Sequence, residues 1–286
     1  MISNRQRAVV VTGASSGIGE ACALRLDGLG FRVFASVRRQ KDADALGRRA
    51  SGRLVSLVLD VTEPLSVEAA ADSVAADIGG TGLAGLVNNA GIAVAGPLEF
   101  LPLQELRRQL EVNVVGQIAV TQAFLPLLRE GEDGGRVVNV GSISGRVASP
   151  LLGAYTASKF AMEGLTDTLR RELRPWGIEV SIVEPGRVAT PIWEKSLKAA
   201  DELLSALPRR AYELYGPAIE KVRRDALKAA RRSGSPEKVA RAVEHALTAK
   251  RPRTRYPAGP DARLGALLAR IVPDPLLDRI LSAYGA

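Results

Sequence analysis

Ala8-Val9-Val10-Val11-Thr12-Gly13-Ala14-Ser15-Ser16-Gly17-Ile18-Gly19-Glu20-Ala21-Cys22-Ala23-Leu24-Arg25-Leu26 runs from an unbroken apolar segment through three glycines into a helix-compatible segment. An apolar run this short, bounded by a turn signal, reads as a strand buried on both faces. Glycines at 13, 17 and 19 let the backbone approach a pyrophosphate closely. The following helix N-terminus offers it unpaired N–H groups and the positive end of a dipole. The spacing G-x-x-x-G-x-G differs from the commoner G-x-G-x-x-G, but strand, turn and helix follow in the order a nucleotide site requires.

The same alternation continues outward from this unit. Further strands are expected at residues 32–37, 53–59, 83–87, 136–140 and 177–183, with a short seventh at 255–258. Long helices are expected at 103–128 and at 153–174, the second stopped by Pro175. Regular alternation predicts an α/β fold: one doubly wound parallel sheet with helices on both faces, spanning residues 1–286 as a single domain. The alternation breaks at residues 191–235, which carry Trp193, Tyr212 and Tyr215 and no strand signal, and read as a helical substrate lid. In the tail, residues 260–286, apolar residues recur every three to four positions: Leu264, Leu267, Leu268 and Ile271, then Leu276, Leu277, Ile280 and Leu281. That period marks an amphipathic helix pair, packed on the body or a partner subunit, or resting on a membrane with Arg263, Arg270 and Arg279 at the headgroups.

Composition bounds the function. A hydrophobic share of 46% with 24% charged residues suits one large core in a chain of 286. The net charge of +8 is concentrated at one end: residues 187–286 hold 20 Lys and Arg against 11 Asp and Glu. With aromatics at only 4%, a nucleic-acid surface is not expected, and an anionic ligand or lipid suits the basic third better. No leader peptide and no apolar run of about 18 residues is evident, so a soluble, cytoplasmic protein is expected. The lone Cys22 reads as a small buried hydrophobe, and the lone His245, without a second histidine or a ligand pattern, as structural; no metal is expected.

Candidate site residues cluster at predicted strand ends, where ligands gather in open α/β sheets. Arg38 and Arg39 end the second strand, and Ser36-Val37-Arg38-Arg39 contains no acid; an arginine there accommodates the 2′-phosphate of NADP, whereas a surface pair would simply be solvated. Asp60 ends the third, either to accept from an adenine amino group or, with Thr62, to cap the helix near Pro64. Asn88-Asn89-Ala90-Gly91 ends the fourth: the amides can tie neighbouring loops together, and Ala90-Gly91 leaves room for a ribose. Asn113 interrupts a helix, where its amide can disturb the backbone pattern and hold a water. Ser142 follows the fifth strand, with Ser144 as a rival hydroxyl; Pro185-Gly186 and Thr190 follow the sixth. Tyr155 and Lys159, four apart on one helix face, place an ammonium beside a phenol. Such a cation stabilises the phenolate, and bringing a phenol from about 10 to near 7 takes roughly 4 kcal/mol. The alternative is a core-edge ring beside a solvated charge.

Taken together, Thr12-Gly13-x-x-x-Gly17-Ile18-Gly19, Asp60, Asn88-Asn89-Ala90-Gly91, Asn113, Ser142, Tyr155-x-x-x-Lys159 and Pro185-Gly186 resemble the short-chain dehydrogenase/reductase family over about residues 8–190. Ala35-Ser36-Val37-Arg38 and Val183-Glu184-Pro185-Gly186 look most like its hydroxysteroid and retinol dehydrogenase-like branch. The resemblance implies a Rossmann-type fold and a catalytic set of Asn113, Ser142, Tyr155 and Lys159. Tyr155 would act as general acid or base, Lys159 would lower its pKa and hold the nicotinamide ribose, Ser142 would orient the substrate oxygen, and Asn113 would hold a relay water. Gly13, Ser15, Ser16, Gly17, Ile18, Gly19, Arg38, Asp60, Val61, Asn89, Ala90, Gly91, Pro185, Gly186, Val188 and Thr190 would line the cofactor site with Tyr155 and Lys159. The expected cofactor is NADP(H), with NAD(H) as the alternative, and the expected substrate an apolar alcohol or carbonyl compound, steroid-, retinoid- or lipid-like. A homodimer or homotetramer through the helices holding Asn113 and Tyr155 is implied. The competing readings are a 3-oxoacyl-thioester reductase, whose acidic carrier would suit the basic last third, and a non-catalytic cofactor-sensing scaffold.

Overall fold

In the computed structural model, which describes residues 7–131, 134–232 and 234–285, without side-chain detail at 192–198, 225–232 and 280–285, the apolar run after Arg7 is the middle of the molecule. Val9, Val10 and Val11 are wholly buried, because helices cover the sheet on both faces. The elements in chain order are β1 (Ala8–Val11), α1 (Gly17–Gly28), β2 (Arg32–Val37), α2 (Gln40–Gly47), β3 (Leu54–Val58), α3 (Pro64–Ile78), β4 (Gly85–Asn88), α4 (Leu103–Leu110), α5 (Gly116–Arg129), β5 (Arg136–Val140), α6 (Gly153–Glu172), β6 (Glu179–Pro185), α7 (Pro191–Ser205), α8 (Arg209–Arg232), α9 (Pro236–Thr248), β7 (Arg255–Ala258), α10 (Pro260–Ile271) and α11 (Asp274–Gly285).

All seven strands are parallel, in the order β3-β2-β1-β4-β5-β6-β7. The chain leaves β1 toward one edge and returns to continue from β4 toward the other. A crevice therefore opens between the carboxyl ends of β1 and β4, the topological switch point at which such sheets bind ligands. On one face, Cys22, Ala23 and Leu26 of α1 pack with Val239, Val243 and Leu247 of α9. On the other, Val67 and Val74 of α3 pack with Val120, Phe124 and Leu128 of α5.

The expected architecture is present, with shifted boundaries. β6 starts at Glu179 rather than 177, because a 3-10 turn at Arg174–Trp176 ends in Gly177 at φ 68° before the chain can extend. β4 starts at Gly85 rather than 83; Leu83 instead donates its N–H to Leu127 O at 2.8 Å, tying the strand's approach to α5. The helix expected at 103–128 is continuous in path, but Glu111–Val115 forms a π turn centred on Asn113. By length and composition residues 103–129 would suffice to cross a membrane, a property not expected from the sequence. Here Gln109, Asn113, Gln117 and Thr121 of this stretch are buried and hydrogen-bonded within the fold.

The segment expected to be a lid folds as α7 and α8, the latter longer than the short helical pattern expected. Tyr215 holds it to the body: its hydroxyl donates to Glu99 at 2.7 Å and its ring meets Phe100 edge-on. In the tail, α10 turns Ala262 and Gly265 inward, with Gly265 against Ile143, while Leu264, Leu267, Ile271 and Leu276 are exposed. That stripe does not pack on the body, because small residues allow α10 to approach through its other face. The side chains of Trp193, Ile280 and Leu281, and the N-terminal residues 1–6, lie outside the described residues.

Phe124 is fully buried between α5 and the sheet. Phe124→Ala is expected to cost about 3–5 kcal/mol in a urea titration, the range for emptying a packed aromatic site.

Candidate active site

The crevice is built by reciprocal bonds between two strand ends. Thr12, just past β1, accepts through Oγ1 from the backbone N–H of Asn89 at 2.8 Å and of Ala90 at 3.0 Å. Asn89 answers with its amide, donating to Thr12 O at 2.9 Å and Gly13 O at 3.2 Å. β2 is tied in as well: Ser36 accepts from Gly13 N at its hydroxyl, 3.1 Å, and from Ala14 N at its carbonyl, 2.7 Å. The turn is so tight that a Cβ on Gly19 would stand 2.3 Å from Gly13 O, and one on Gly13 2.8 Å from Ala90 Cα. Gly17, at φ 64°, faces Thr190, the residue that starts α7. Ser16 opens α1 without a side-chain cap, so the first-turn amides, including those of Ile18 and Gly19, are left for a ligand.

Around this turn the remaining cofactor candidates divide. Arg38 is exposed at the end of β2 and forms no bond or ion pair among the described residues, whereas Arg39 is held by Asp42 at 2.9 Å. Asp60 Oδ1 accepts from Thr62 N at 3.0 Å and Thr62 Oγ1 at 2.8 Å, but it does not cap α3 as the second alternative expected: the N-cap is Glu63, three residues on, and Asp60 is spent within its own loop. Val61 backs Gly116, and Gly91 lies against the Asn113 amide. Pro185 and Gly186 end β6, with Gly186 N donating to Ala258 O at 3.2 Å. Val188 is buried, and its segment is paired to Gly234. Ser15 is exposed on the turn.

The reacting end lies beyond β5 and on α6. Ser142 caps a 3-10 turn at Ile143–Gly145, its Oγ accepting from Ser144 N at 3.1 Å. Ser142, rather than Ser144, is the hydroxyl whose influence reaches the Tyr155 phenol, acting to lower it. One helical turn on, Lys159 is buried, donates from Nζ to Val140 O at 2.9 Å, and stands 5.7 Å from the Tyr155 ring centroid. Asn113, in the π turn, accepts from Ile92 N at 2.9 Å and donates to Ile92 O at 3.0 Å and to Ser158 Oγ at 3.2 Å. Its two N–H groups are thereby occupied in bracing the 90–94 loop against α6.

The electrostatics depart from the expectation in one respect. Burial pushes the Tyr155 phenol above its ordinary value, and the opposing influence is the Ser142 hydroxyl, not Lys159. Burial also brings Lys159 down to about 8. The physical reason is that one desolvated pocket penalises the charged form of both groups, with the ammonium directed at a carbonyl.

Several supporting residues went unnoticed in the sequence. Ser158 links Asn113 to the Tyr155 carbonyl, donating to it at 2.7 Å, and Gln109 brackets the 92–94 loop. Asp261 accepts from Arg187 N at 2.6 Å and crowds Gly186. Their only signal is a polar residue on an otherwise apolar helix face. His245 is bonded to Tyr256 at 3.0 Å and packs on its ring, and burial raises the Cys22 thiol to about 12, so both are structural.

A glycine turn at the switch point of a parallel sheet, facing a Ser, Tyr and Lys set, defines a nucleotide-dependent oxidoreductase of the Rossmann type. Residues 7–201 match the family model described as short chain dehydrogenase, and the chain belongs to that family, whose members bind NAD(P)(H) and act on CH–OH groups. Within it the chain falls in the hydroxysteroid and retinol dehydrogenase-like branch. It is similar to human retinol dehydrogenase 5, 43% identical over 282 residues, covering 96% of this chain and 87% of that protein. It is also similar to bovine 17-beta-hydroxysteroid dehydrogenase type 6, 40% identical over 280 residues with the same coverages of 96% and 87%. To the NADPH-dependent 3-dehydrocapnine reductase of Ornithobacterium rhinotracheale it is 35% identical over 277 residues, covering 96% of this chain and 95% of that protein. The residues present fit a dinucleotide: the glycine cradle is one that any Cβ would fill, and the α1 amides face it.

Because burial holds the phenol above its ordinary value, Tyr155 is expected to stay protonated in the cofactor-free protein at neutral pH. Tyr155→Phe should therefore leave the tyrosinate absorbance at neutral pH unchanged; a loss of absorbance would show an already ionised phenol.

Proposed function

We propose that the protein is an NADP(H)-preferring oxidoreductase that interconverts a carbonyl and an alcohol on an apolar, steroid-, retinoid- or lipid-like substrate, with Tyr155 as general acid and base. The observation that carries this reading is Lys159, buried one helical turn from Tyr155 with its ammonium 5.7 Å from the ring centroid, together with the turn that Ser142 caps. Ser142 holds the substrate oxygen at the phenol, and Tyr155 gives its proton to that oxygen in reduction or takes it in oxidation. The bound nicotinamide supplies or accepts the hydride. Asn113, by bracing Ile92 and Ser158, keeps the backbone around Tyr155 rigid. Water exclusion by the lid strengthens every one of these polar contacts.

Arg38 supports the NADP preference: it is exposed beside the glycine turn and uncommitted among the described residues, while its neighbour is spent on Asp42. Relatives named for retinol, a hydroxysteroid and an NADPH-dependent reduction point the same way. Exposed Leu103, Val115 and Phe160, on or beside the helices that carry Asn113 and Tyr155, suit an association of two copies.

Following NADPH oxidation over a panel of retinoid and steroid carbonyls, Tyr155→Phe is expected to lower kcat by roughly a hundredfold to ten-thousandfold, the contribution of a general acid, with NADPH affinity retained. Near-normal turnover would remove Tyr155 from the reaction. Arg38→Asp should weaken NADPH binding by about ten- to a hundredfold, the worth of a charged hydrogen bond, and leave NADH nearly untouched. Equal losses for the two nucleotides would mean that Arg38 does not read the 2′-position.

A further inference from the structure

Beneath Ser142 and Lys159 lies a cluster of charges that the reaction does not use. Glu184, near the end of β6, is completely buried and ion-paired with Arg146, just past the Ser142 turn. Glu163, one helical turn after Lys159 on α6, is paired through Oε2 with Arg255 of β7 at 3.0 Å. Arg255 also reaches Asp167 at 2.9 Å, and Asp167 pairs in turn with Arg170. Each glutamate thus has one oxygen on an arginine. The other oxygens, Glu163 Oε1 and Glu184 Oε2, are buried and receive no donor among the described residues. Both belong to elements packed on one another, α6 and β6, and the charge of Glu184 acts on Glu163. Two carboxylates have no hydrogen between them, so two such orphaned oxygens can satisfy each other only when the pair holds a proton.

The pair is mechanically connected to the site. Arg146 closes the turn that starts at Ser142: Gly145 N donates to Ser142 O and Arg146 N to Ile143 O, both at 2.9 Å. A Cβ on Gly145 would stand 2.8 Å from Lys159 O and 3.2 Å from Glu163 Cγ, so the turn rests directly on the stem of Glu163. One glutamate holds the turn by its arginine and the other supports it from below.

We propose that Glu163 and Glu184 share one proton and, with Arg146, form a clamp that fixes the Ser142 turn against Tyr155 and Lys159, making these three side chains positioning residues. The clamp deepens the catalytic reading of Ser142 and Tyr155 and rests on it for its kinetic consequence alone. The charged groups around the pair are Arg146 from the turn, Arg255 from β7, and Asp167 and Arg170 from the next turns of α6. Burial first, then the charge of Glu184, raise the Glu163 carboxyl to about 7 against the pull of Arg255. A group raised in this way contributes stability that is present at acid pH and is lost as pH climbs through about 7.

Glu163→Gln tests this, because an amide N–H donates to Glu184 at every pH. The melting temperature of the variant relative to wild type is expected to rise between about pH 6 and pH 9, across the value to which Glu163 is raised. A flat difference overturns the shared proton. As a measurement that needs no variant, infrared spectra of the wild type should show a carboxylic acid band that disappears on raising the pH through about 7, since free carboxyls titrate near 4. Its absence at pH 6 is equally fatal. For the positioning role, Arg146→Ala should speed amide hydrogen exchange at Ser144, Gly145 and Arg146 severalfold, with Arg146→Lys restoring part of the protection; unchanged exchange refutes the clamp. These readouts need no turnover, so they stand apart from the Tyr155→Phe assay. If both readings hold, the ratio of Glu163→Gln to wild-type kcat, taken with NADPH and the same carbonyl panel, rises with pH across that range. A constant ratio would sever the clamp from catalysis.

Discussion

The exchange of hydrogen bonds between Thr12 and the Asn89-Ala90 backbone holds open the place where everything else is assembled. β1 and β4 are neighbours in the sheet, yet the chain diverges from them in opposite directions, and without a tie their ends would be free to splay. One hydroxyl that accepts two backbone N–H groups, with an amide returning to two carbonyls, satisfies polar groups that would otherwise cost about 1–3 kcal/mol each if left buried and unpaired. With the ends fixed, the glycine turn can lie flat against Ala90. Gly13 and Gly19 are required by that close approach, and Gly17 by its positive φ beside Thr190.

Desolvation sets the electrostatics at the far side of the crevice. The same exclusion of water raises Tyr155, lowers Lys159 and raises Glu163. Each group is inclined to be neutral, so charge is held only where a specific partner stabilises it. Ser142 on Tyr155, Val140 O on Lys159 and the arginines on the two glutamates are those partners. A site of this kind is preorganised: its dipoles are already aimed, and little solvent has to rearrange when a substrate enters.

Legibility in the sequence followed the range of the interactions. The strand-turn-helix at residues 8–26 was readable because a buried strand, a close-approach turn and a helix start each leave a local mark. Tyr155 and Lys159 were readable as a pair because four residues is one helical turn. Arg38 and Arg39 were visible together, but which of them is free depends on Asp42, and only the folded chain shows it. Asp60 carried two readings, and the capping one fails because α3 starts from Glu63 while Asp60 binds Thr62 within the loop before it. Ser158, Gln109 and Arg146 act through partners 15 to 45 positions away, and a polar residue at such a position does not say which partner it meets.

The sequence alone determined the parallel α/β order, the glycine turn and the family, because periodicity, glycine spacing and motif spacing are properties of short segments, and it singled out the Tyr155 and Lys159 pair on which the proposed chemistry rests. The tertiary structure decided the boundaries of β4 and β6, the π turn at Asn113, the outward apolar stripe of α10 and the direction in which Tyr155 is shifted. Those depend on which surfaces meet and how much water is left between them, and Glu163 and Glu184, 21 positions apart in the chain, come into contact only when α6 closes over β6.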